Sequence, residues 1–234
     1  RFSSLLKTSK YPKATLYRLL QTLLNQDMLS YNEEEQTYKL GLKLVRMAHS
    51  AWLQSSLAPV AVPFIDDLSE KVGETVHLPE LDNGQVLYVD KRNPASPIEM
   101  YSQAGKVGPA YCTGVGKAMM AFLDEAELNK VISKQAFHKY TEHTITTAKA
   151  LRKELANIKK EGISFDRQEH EEKIICISSP ILTSSGKVIG GLSITSSIDI
   201  HSLKSLEKFK PQLLETSELI AKEAGAWSFP EKNY

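Results

Sequence analysis

The sequence has very little cysteine and no long apolar run, and both absences restrict where the protein is expected to work. Its 234 residues include two cysteines, Cys112 and Cys176. Two are too few for a disulfide framework, which predicts a reducing compartment. No stretch approaches the roughly 20 apolar residues that a membrane-spanning helix needs. The sequence therefore predicts a cytoplasmic protein without a membrane partner.

Metal and nucleotide motifs of well-defined spacing are also missing. The chain contains no Cys-x-x-Cys or His-x-x-x-His pair, so the spacings typical of a structural zinc site are absent. Gly116 and Lys117 lack the earlier glycine and the following Ser or Thr of a phosphate-binding P-loop. The sequence therefore predicts no metal and no cofactor.

Acidic residues are absent from the first 26 positions. Residues 1–46 hold eight Lys or Arg against four acids, a net charge of +4, whereas the remainder carries 21 basic and 24 acidic side chains, a net charge of −3. A basic end on a mildly acidic body is typical of a nucleic-acid-binding module joined to a second domain. Taken alone, the charge is also compatible with a solvated helix face.

The basic end has the pattern of a helix-turn-helix. A helix from Phe2 to Lys7 precedes a polar turn, and Pro12 suits the start of a second helix. Alternation over 28–31 and 37–40 then predicts a two-stranded hairpin, which would form a wing. A helical hairpin used only for packing is the alternative. In the second helix, leucines recur at the spacing of one helical stripe: Leu16, Leu19, Leu20, Leu23 and Leu24.

Residues 41–56 predict a linking helix with an apolar seam. One amphipathic helix cannot bury Trp52 unaided, so we expect this helix to pack on a partner subunit or on the chain's own body. The seam consists of Leu44, Val45, Ala48, Ala51 and Trp52.

The remainder of the chain mixes hairpin strands with helices. Helices are predicted over 59–72, from Asp124 onward, over 147–161 and in a final segment that ends at Gly225 and is kinked or divided at Pro211. Strands are predicted over 74–81, 85–91, 98–102, 174–182 and 188–196. Hairpin strands separated by helices favour an α+β domain with a mostly antiparallel sheet.

Two segments of this part could bind a small molecule. Gly114 and Gly116 precede an apolar helical run, and backbone N–H groups at a helix start can hold an anion, although simple packing is the alternative. Ser193 and Thr195 share one face of a strand that begins with two glycines, so their hydroxyls are either satisfied internally or presented to a ligand.

The segment 166–172 is rich in acids and is interpreted as a solvated loop. Two alternatives remain open. A metal site would recruit Asp166, Glu169, His170 and Cys176. A nucleophilic thiolate at Cys112 or Cys176 would use His170 as its base, although a buried cysteine beside isoleucines is more often inert.

Five motifs follow one another along the chain: PKATLYRLL at 12–20, YKLG at 38–41, PAYCTGVGKA at 109–118, Asp166 and Glu169 with CISSP at 176–180, and GGLSI at 190–194. In this order and spacing they resemble the IclR family of bacterial transcription regulators. The resemblance implies a winged helix-turn-helix over 1–40, with a further helix upstream, a linker helix over 41–58, and a GAF-like effector and oligomerisation domain over 59–234.

The resemblance also implies particular site residues. A ligand pocket would use Gly114, Val115, Asp166, Cys176, Ser193 and Thr195, with loop amides holding a ligand carboxylate. A recognition helix would use Lys13, Ala14, Thr15, Tyr17 and Arg18. The three glutamates Glu33–Glu35 would repel phosphates, so the wing tip is not expected to contact the DNA backbone.

These features predict a DNA-binding transcription regulator rather than an enzyme. We expect a repressor of a catabolic operon that binds double-stranded operator DNA as a homodimer or tetramer. A small carboxylate, such as a 2-oxo or sugar acid, would switch its operator affinity, and in some relatives the pocket holds a metal instead. The alternatives are a cysteine-dependent GAF-like redox enzyme and a purely structural dimerisation module.

Overall fold

A computed structural model describes residues 1–55 and 57–226. The chain divides into two compact units, of which the first is Arg1–Ser55 and the second begins after it. Ser56, in the predicted linker, and residues 227–234, at the end of the predicted effector domain, lie outside the described residues.

The first unit contains three helices and one hairpin in its described residues. Leu16 and Leu20 are buried, which confirms the apolar stripe of the second helix, whereas Leu19 and Leu23 of the same stripe are exposed. The elements are α1 (Phe2–Thr8), α2 (Lys13–Asn25), β1 (Leu29–Asn32), β2 (Thr37–Leu40) and α3 (Leu42–Ser55).

The hairpin is antiparallel and pairs Tyr31 with Tyr38, whose rings lie 4.9 Å apart. Its tip, Glu33–Glu35, is exposed. Gly41 follows β2 and donates to the carbonyl of Met28 at 2.8 Å. A side chain at position 41 would collide with the backbone of Asp27, so this glycine allows the chain to turn closely from the hairpin into α3.

Helix α3 has no buried side chain among its described residues. Trp52 is half-buried and stacks on His49, with ring centroids 6.2 Å apart. Large apolar side chains along the helix are exposed to solvent: Leu42, Val45, Met47 and Leu53.

The second unit is built on one six-stranded sheet in the order β5-β4-β3-β8-β7-β6, and every neighbouring pair is antiparallel. The prediction of an α+β domain with a mostly antiparallel sheet is therefore confirmed. The strands are β3 (Thr75–Asp82), β4 (Gln85–Arg92), β5 (Val107–Pro109), β6 (Ser164–Arg167), β7 (Ile174–Leu182) and β8 (Val188–Ser197).

Helices cover both faces of this sheet. One face packs against α4 and α9, and the other against α5, which α7 supports from outside. The helices are α4 (Ala58–Val72), α5 (Gly114–Met120), α6 (Glu125–Ser133), α7 (Ala148–Glu161), α8 (Leu203–Leu206) and α9 (Lys210–Ala226), with a 3₁₀ turn at Glu207–Phe209.

Local sequence signals explain most of these helix ends. Asp124 caps α6 by accepting from the Glu127 amide at 2.8 Å, and Thr147 caps α7 by accepting from the Ala150 amide at 3.2 Å. Helix α7 ends at Gly162, whose φ of 74° lies in the left-handed region that favours glycine.

Two secondary-structure predictions are wrong. Residues 98–102 are not a strand, because their backbone groups bond to side chains: the Tyr101 amide to Glu171, and the Ser102 carbonyl to Lys91. The third strand is instead β5. Strand β6 occupies the start of the segment interpreted as a solvated loop.

The final helical segment is divided just before Pro211, as predicted, because the 3₁₀ turn Glu207–Phe209 separates α8 from α9. Helix α9 begins at Lys210, so Pro211 lies in its first turn, where the missing N–H has no helical partner to lose.

Candidate functional site

A polar stripe crosses the face of the sheet that meets α5. Strand register aligns Asp166 with Cys176, Cys176 with Thr195, and Thr195 with Thr75. In the neighbouring row, Ser178 lies opposite Ser193, and Ser193 opposite His77. Because paired residues share a face of the sheet, all of these side chains point toward α5.

The start of α5 approaches this stripe very closely. A Cβ atom on Gly114 would lie 2.5 Å from the Cys176 sulfur and 2.9 Å from the Asp166 amide nitrogen. Only glycine permits that approach. The amides of the first turn have no partner within the helix, and its cap residue, Thr113, donates instead to the Pro109 carbonyl at 2.9 Å.

The polar face of the sheet and the start of α5 enclose a cavity of about 30 Å³. That volume holds two or three water molecules, each of which needs roughly 10–15 Å³ by the same measure. All six predicted pocket residues line the cavity, although they come from α5, β6, β7 and β8. The cavity is lined by His77, Tyr88, Met100, Ser102, Thr113, Gly114, Val115, Asp166, His170, Glu171, Ile174, Cys176, Ser193 and Thr195.

His77 also lines the cavity, although it is not among the predicted pocket residues. Its Nε2 lies 2.8 Å from the Ser102 hydroxyl, while its Nδ1 lies 3.2 Å from the Thr195 hydroxyl and 3.4 Å from that of Ser193. Burial, assisted by the charge of Lys91, lowers the pKa of His77 to about 3. The imidazole is therefore neutral near pH 7 and links three hydroxyls.

Asp166 is buried as well, which contradicts its assignment to a solvated loop. Its Oδ1 accepts from the Glu169 amide at 2.8 Å. Burial and then the nearby Glu169 carboxylate raise the pKa of Asp166 to about 7, while the Glu169 amide and Lys117 oppose that rise. Asp166 therefore exists as acid and as carboxylate in comparable amounts near neutral pH.

Glu169 is also buried, because it pairs with Lys117 of α5. The Lys117 side chain is fully buried, and its ammonium forms an ion pair with Glu169 and lies 3.9 Å from Glu154. Thr144 donates to the Glu169 carbonyl at 2.6 Å, and Thr141 donates to the Gln168 carbonyl at 2.6 Å. The acidic segment is thus held in place by α5 on one side and by a threonine turn on the other.

Aromatic side chains cover the cavity. His170 packs edge-on against Tyr140 at 4.7 Å and against Tyr101 at 5.5 Å between ring centroids. The Tyr101 amide donates to the Glu171 carboxylate at 2.9 Å. His170 and Glu171 also line a larger outer pocket of about 490 Å³, so these two residues separate the outer pocket from the polar cavity.

The predicted recognition residues all lie on α2 of the first unit. Lys13, Ala14, Tyr17 and Arg18 are exposed, and Thr15 is half-buried. The exposed phenol of Tyr17 packs edge-on against Phe2 of α1, with ring centroids 6.4 Å apart.

Comparison with known proteins identifies the family. The model described as "Bacterial transcriptional regulator IclR C-terminal" matches residues 49–222. The chain belongs to the IclR family. It is 31% identical to the HTH-type transcriptional regulator KdgR of Escherichia coli over 93% of this chain and 83% of KdgR. KdgR is a transcription regulator, and so is this chain.

Two further IclR proteins are similar to this chain. The transcriptional repressor IclR of Escherichia coli is 29% identical over 80% of this chain and 69% of its own length. An IclR homologue from Microbacterium hydrocarbonoxydans, solved in complex with 4-hydroxybenzoate, matches the fold with a TM-score of 0.80 and 21% identity, over 96% of this chain and 91% of the other.

The family assignment and the site chemistry both argue against the redox-enzyme alternative. Burial raises the pKa of Cys176 to about 12 and raises that of Cys112 further above the range of an ordinary thiol, so neither provides a thiolate at neutral pH. The described residues contain no group of three His, Cys, Asp or Glu side chains suited to a metal ion. Within the same ranges, no helix has both the length and the apolar character needed to cross a membrane.

Proposed function

We propose that this IclR-family regulator is a repressor of a catabolic operon whose affinity for operator DNA is switched by a small carboxylate bound in the polar cavity. The observation that carries the proposal is the meeting of six predicted pocket residues, from four separate elements, around one cavity. The repressor assignment draws on the named repressor among its relatives.

For the DNA side of the proposal, the first unit acts as a winged helix-turn-helix. Helix α2 would enter the major groove, where Lys13 and Arg18 would contact phosphates, and Thr15 and Tyr17 would reach base edges. The exposed, acid-free surface of α2 supports this role, and the β1–β2 hairpin would be the wing.

We expect the double variant Lys13→Ala, Arg18→Ala to bind DNA roughly 10- to 100-fold more weakly, with a salt slope reduced by about 2, because two phosphate contacts are lost. Affinity would be measured by gel shift on a duplex selected from a random library by the unaltered protein. The matched control, Lys149→Ala with Lys153→Ala, removes the same charge from exposed positions on α7. Equal affinity of both variants would contradict the role of α2.

For the effector side, the amides of Gly114 and Val115 would receive the ligand carboxylate, while Cys176, Ser193 and Thr195 would hold the rest of the molecule. The 4-hydroxybenzoate bound by the Microbacterium homologue is itself a small carboxylate. Because the cavity has room for only two or three waters, an effector would have to displace the covering aromatic side chains as it binds.

We expect one member of a panel of 2-oxo acids, sugar acids and aromatic acids to raise the Tm of the second unit by several degrees at saturation, because a ligand that binds only the folded state stabilises it by about 2.7 kcal/mol at 100 times Kd. Ser193→Ala should weaken that ligand about fivefold, the cost of one hydrogen bond. Ser184→Ala, in the exposed β7–β8 turn, is the control. A panel without a single stabilising acid would argue against the carboxylate class.

For assembly, we propose a homodimer or tetramer in which α3 packs on a second copy. The support is the exposed apolar side chains of α3. Their exposure to water is unfavourable, and packing on a second copy would bury them. The division into a DNA-binding segment 1–40, a linker 41–58 and a GAF-like domain 59–234 belongs to the same proposal. Ligand binding would then favour one of two dimer arrangements and so change operator affinity.

A further inference from the structure

The charge balance of the polar cavity is unusual for a carboxylate site. Among its described lining residues there are two carboxylic acids, Asp166 and Glu171, and neither lysine nor arginine. Lys117, a buried cation whose charge acts on Asp166, is paired with the Glu169 carboxylate. A carboxylate that enters this cavity therefore meets two acidic side chains, and no lysine or arginine of the lining offsets their charge.

The two acids of the cavity differ in what their oxygens already contact. Both oxygens of Glu171 accept from the Tyr101 amide, at 2.9 and 3.1 Å. Asp166 uses Oδ1 to accept from Glu169, and its Oδ2 has no hydrogen-bond partner among the described residues. Asp166 is thus the acid with an oxygen available to a bound molecule.

We propose that Asp166 is a specificity-determining residue that makes the cavity take up a carboxylate together with one proton, which the two carboxylates then share in an O–H···O⁻ hydrogen bond. The inference rests on the proposed function, in which the cavity binds a carboxylate. The proton comes from solvent, and no other bond forms or breaks. Two carboxylates forced together in a buried site cannot both stay ionised at low cost, so one of them holds a proton.

The groups around Asp166 set the pH at which this happens. Because the pKa of Asp166 is about 7, its protonated and ionised forms are both populated near pH 7, and a second carboxylate would raise this pKa further. Proton uptake should therefore increase from about half a proton per ligand at pH 7 toward one at pH 8.5. The titratable groups around Asp166 come from several elements: Lys117, Glu169, Glu171, Cys176, Cys112, Tyr88, His77 and His170.

The neutral imidazole of His77 is the other possible proton acceptor in the cavity. Both of its nitrogens already lie within hydrogen-bond distance of hydroxyls, and its pKa lies near 3. The pKa of His77 would have to rise from about 3 to about 7 before the imidazole held a proton at pH 7. The pKa of Asp166 already lies near that pH, so a small increase is enough. Asp166 is therefore the acceptor that we assign.

Calorimetry of the full chain tests this with three probes: pyruvate, gluconate and 4-hydroxybenzoate. Each titration is run at pH 8.5 in phosphate and in Tris, because the difference in observed enthalpy between buffers of different ionisation enthalpy gives the number of protons taken up. We expect close to one proton for each probe that binds, and a Kd on the order of tenfold weaker at pH 8.5 than at pH 6.5.

Asp166→Asn should abolish proton uptake and make Kd independent of pH, because the amide cannot ionise but can still accept from the Glu169 amide. Asp199→Asn, which alters an exposed acid of the same unit, should behave like the unaltered protein. The inference is overturned if a probe binds the unaltered protein without proton uptake, or if uptake persists in Asp166→Asn and disappears in His77→Gln. If no probe binds at either pH, the proposed carboxylate effector fails, and this inference fails with it.

Discussion

Replacing Lys117 with methionine is expected to destabilise the second unit by about 3–5 kcal/mol, the range measured when one partner of a buried ion pair is removed. Methionine fills a similar volume, so packing changes little. The loss arises because the Glu169 carboxylate, 2% exposed, would remain buried without its cation. Its Oε2 already has no hydrogen-bond partner among the described residues. Urea unfolding of the full chain, followed by circular dichroism, would measure the difference.

The matched control is the double variant Lys117→Met, Glu169→Gln. It removes both charges and leaves a neutral amide at position 169 that can still accept hydrogen bonds, so it should recover a substantial part of the lost stability. A single Lys117→Met variant within 1 kcal/mol of the unaltered protein would show that the pair adds nothing to the fold. Equal stability of the single and double variants would show that the loss comes from packing and not from charge.

Replacing Gly116 with alanine should have an effect of similar size for a steric reason. A Cβ atom at this position would collide with the Ala110 carbonyl oxygen and lie 2.6 Å from both the Ala110 Cα and the Thr113 hydroxyl. Two of these contacts are backbone, which cannot rotate away as a flexible side chain could. We expect a loss of about 2–4 kcal/mol, because overpacking a rigid core forces backbone shifts, measured as a fall in Tm by calorimetry.

Gly225→Ala is a fitting control for that experiment. Gly225 lies in α9, and a Cβ atom there would meet no atom within 4 Å. Alanine is about 1 kcal/mol more favourable than glycine in a helix, so the same substitution should leave stability unchanged or raise it slightly. If Gly116→Ala were equally benign, the close packing of α5 on the 109–113 segment would not be as tight as described.

Periodicity was a good guide to the elements that are long and amphipathic. Helix α7, with Thr147 before it and Gly162 after it, and the β7–β8 hairpin both occupy almost the predicted ranges. Strand β5 has three residues, including a glycine and a proline, so it is too short to show alternation. Strand β6 has four residues and runs directly into an acidic segment, and its composition there resembles that of a solvated loop.

The pocket residues were predictable in part. The alternation that revealed Ser193 and Thr195 on β8 also occurs on β3, where His77 stands between Val76 and Leu78, so the same argument could have found it. The burial of Asp166 and Glu169 could not be found in this way. It depends on Lys117, far away along the sequence, and on a tertiary contact that no local pattern records.

Both ends of the six-stranded sheet are very short. Strand β5 has three residues and β6 has four, whereas the interior strands have eight to ten. A long unpaired edge offers a row of free N–H and C=O groups on which another chain can add a strand, the usual route to edge-to-edge aggregation. Strands β5 and β6 themselves offer only a few such groups, so neither is a long template on which a second chain could add a strand.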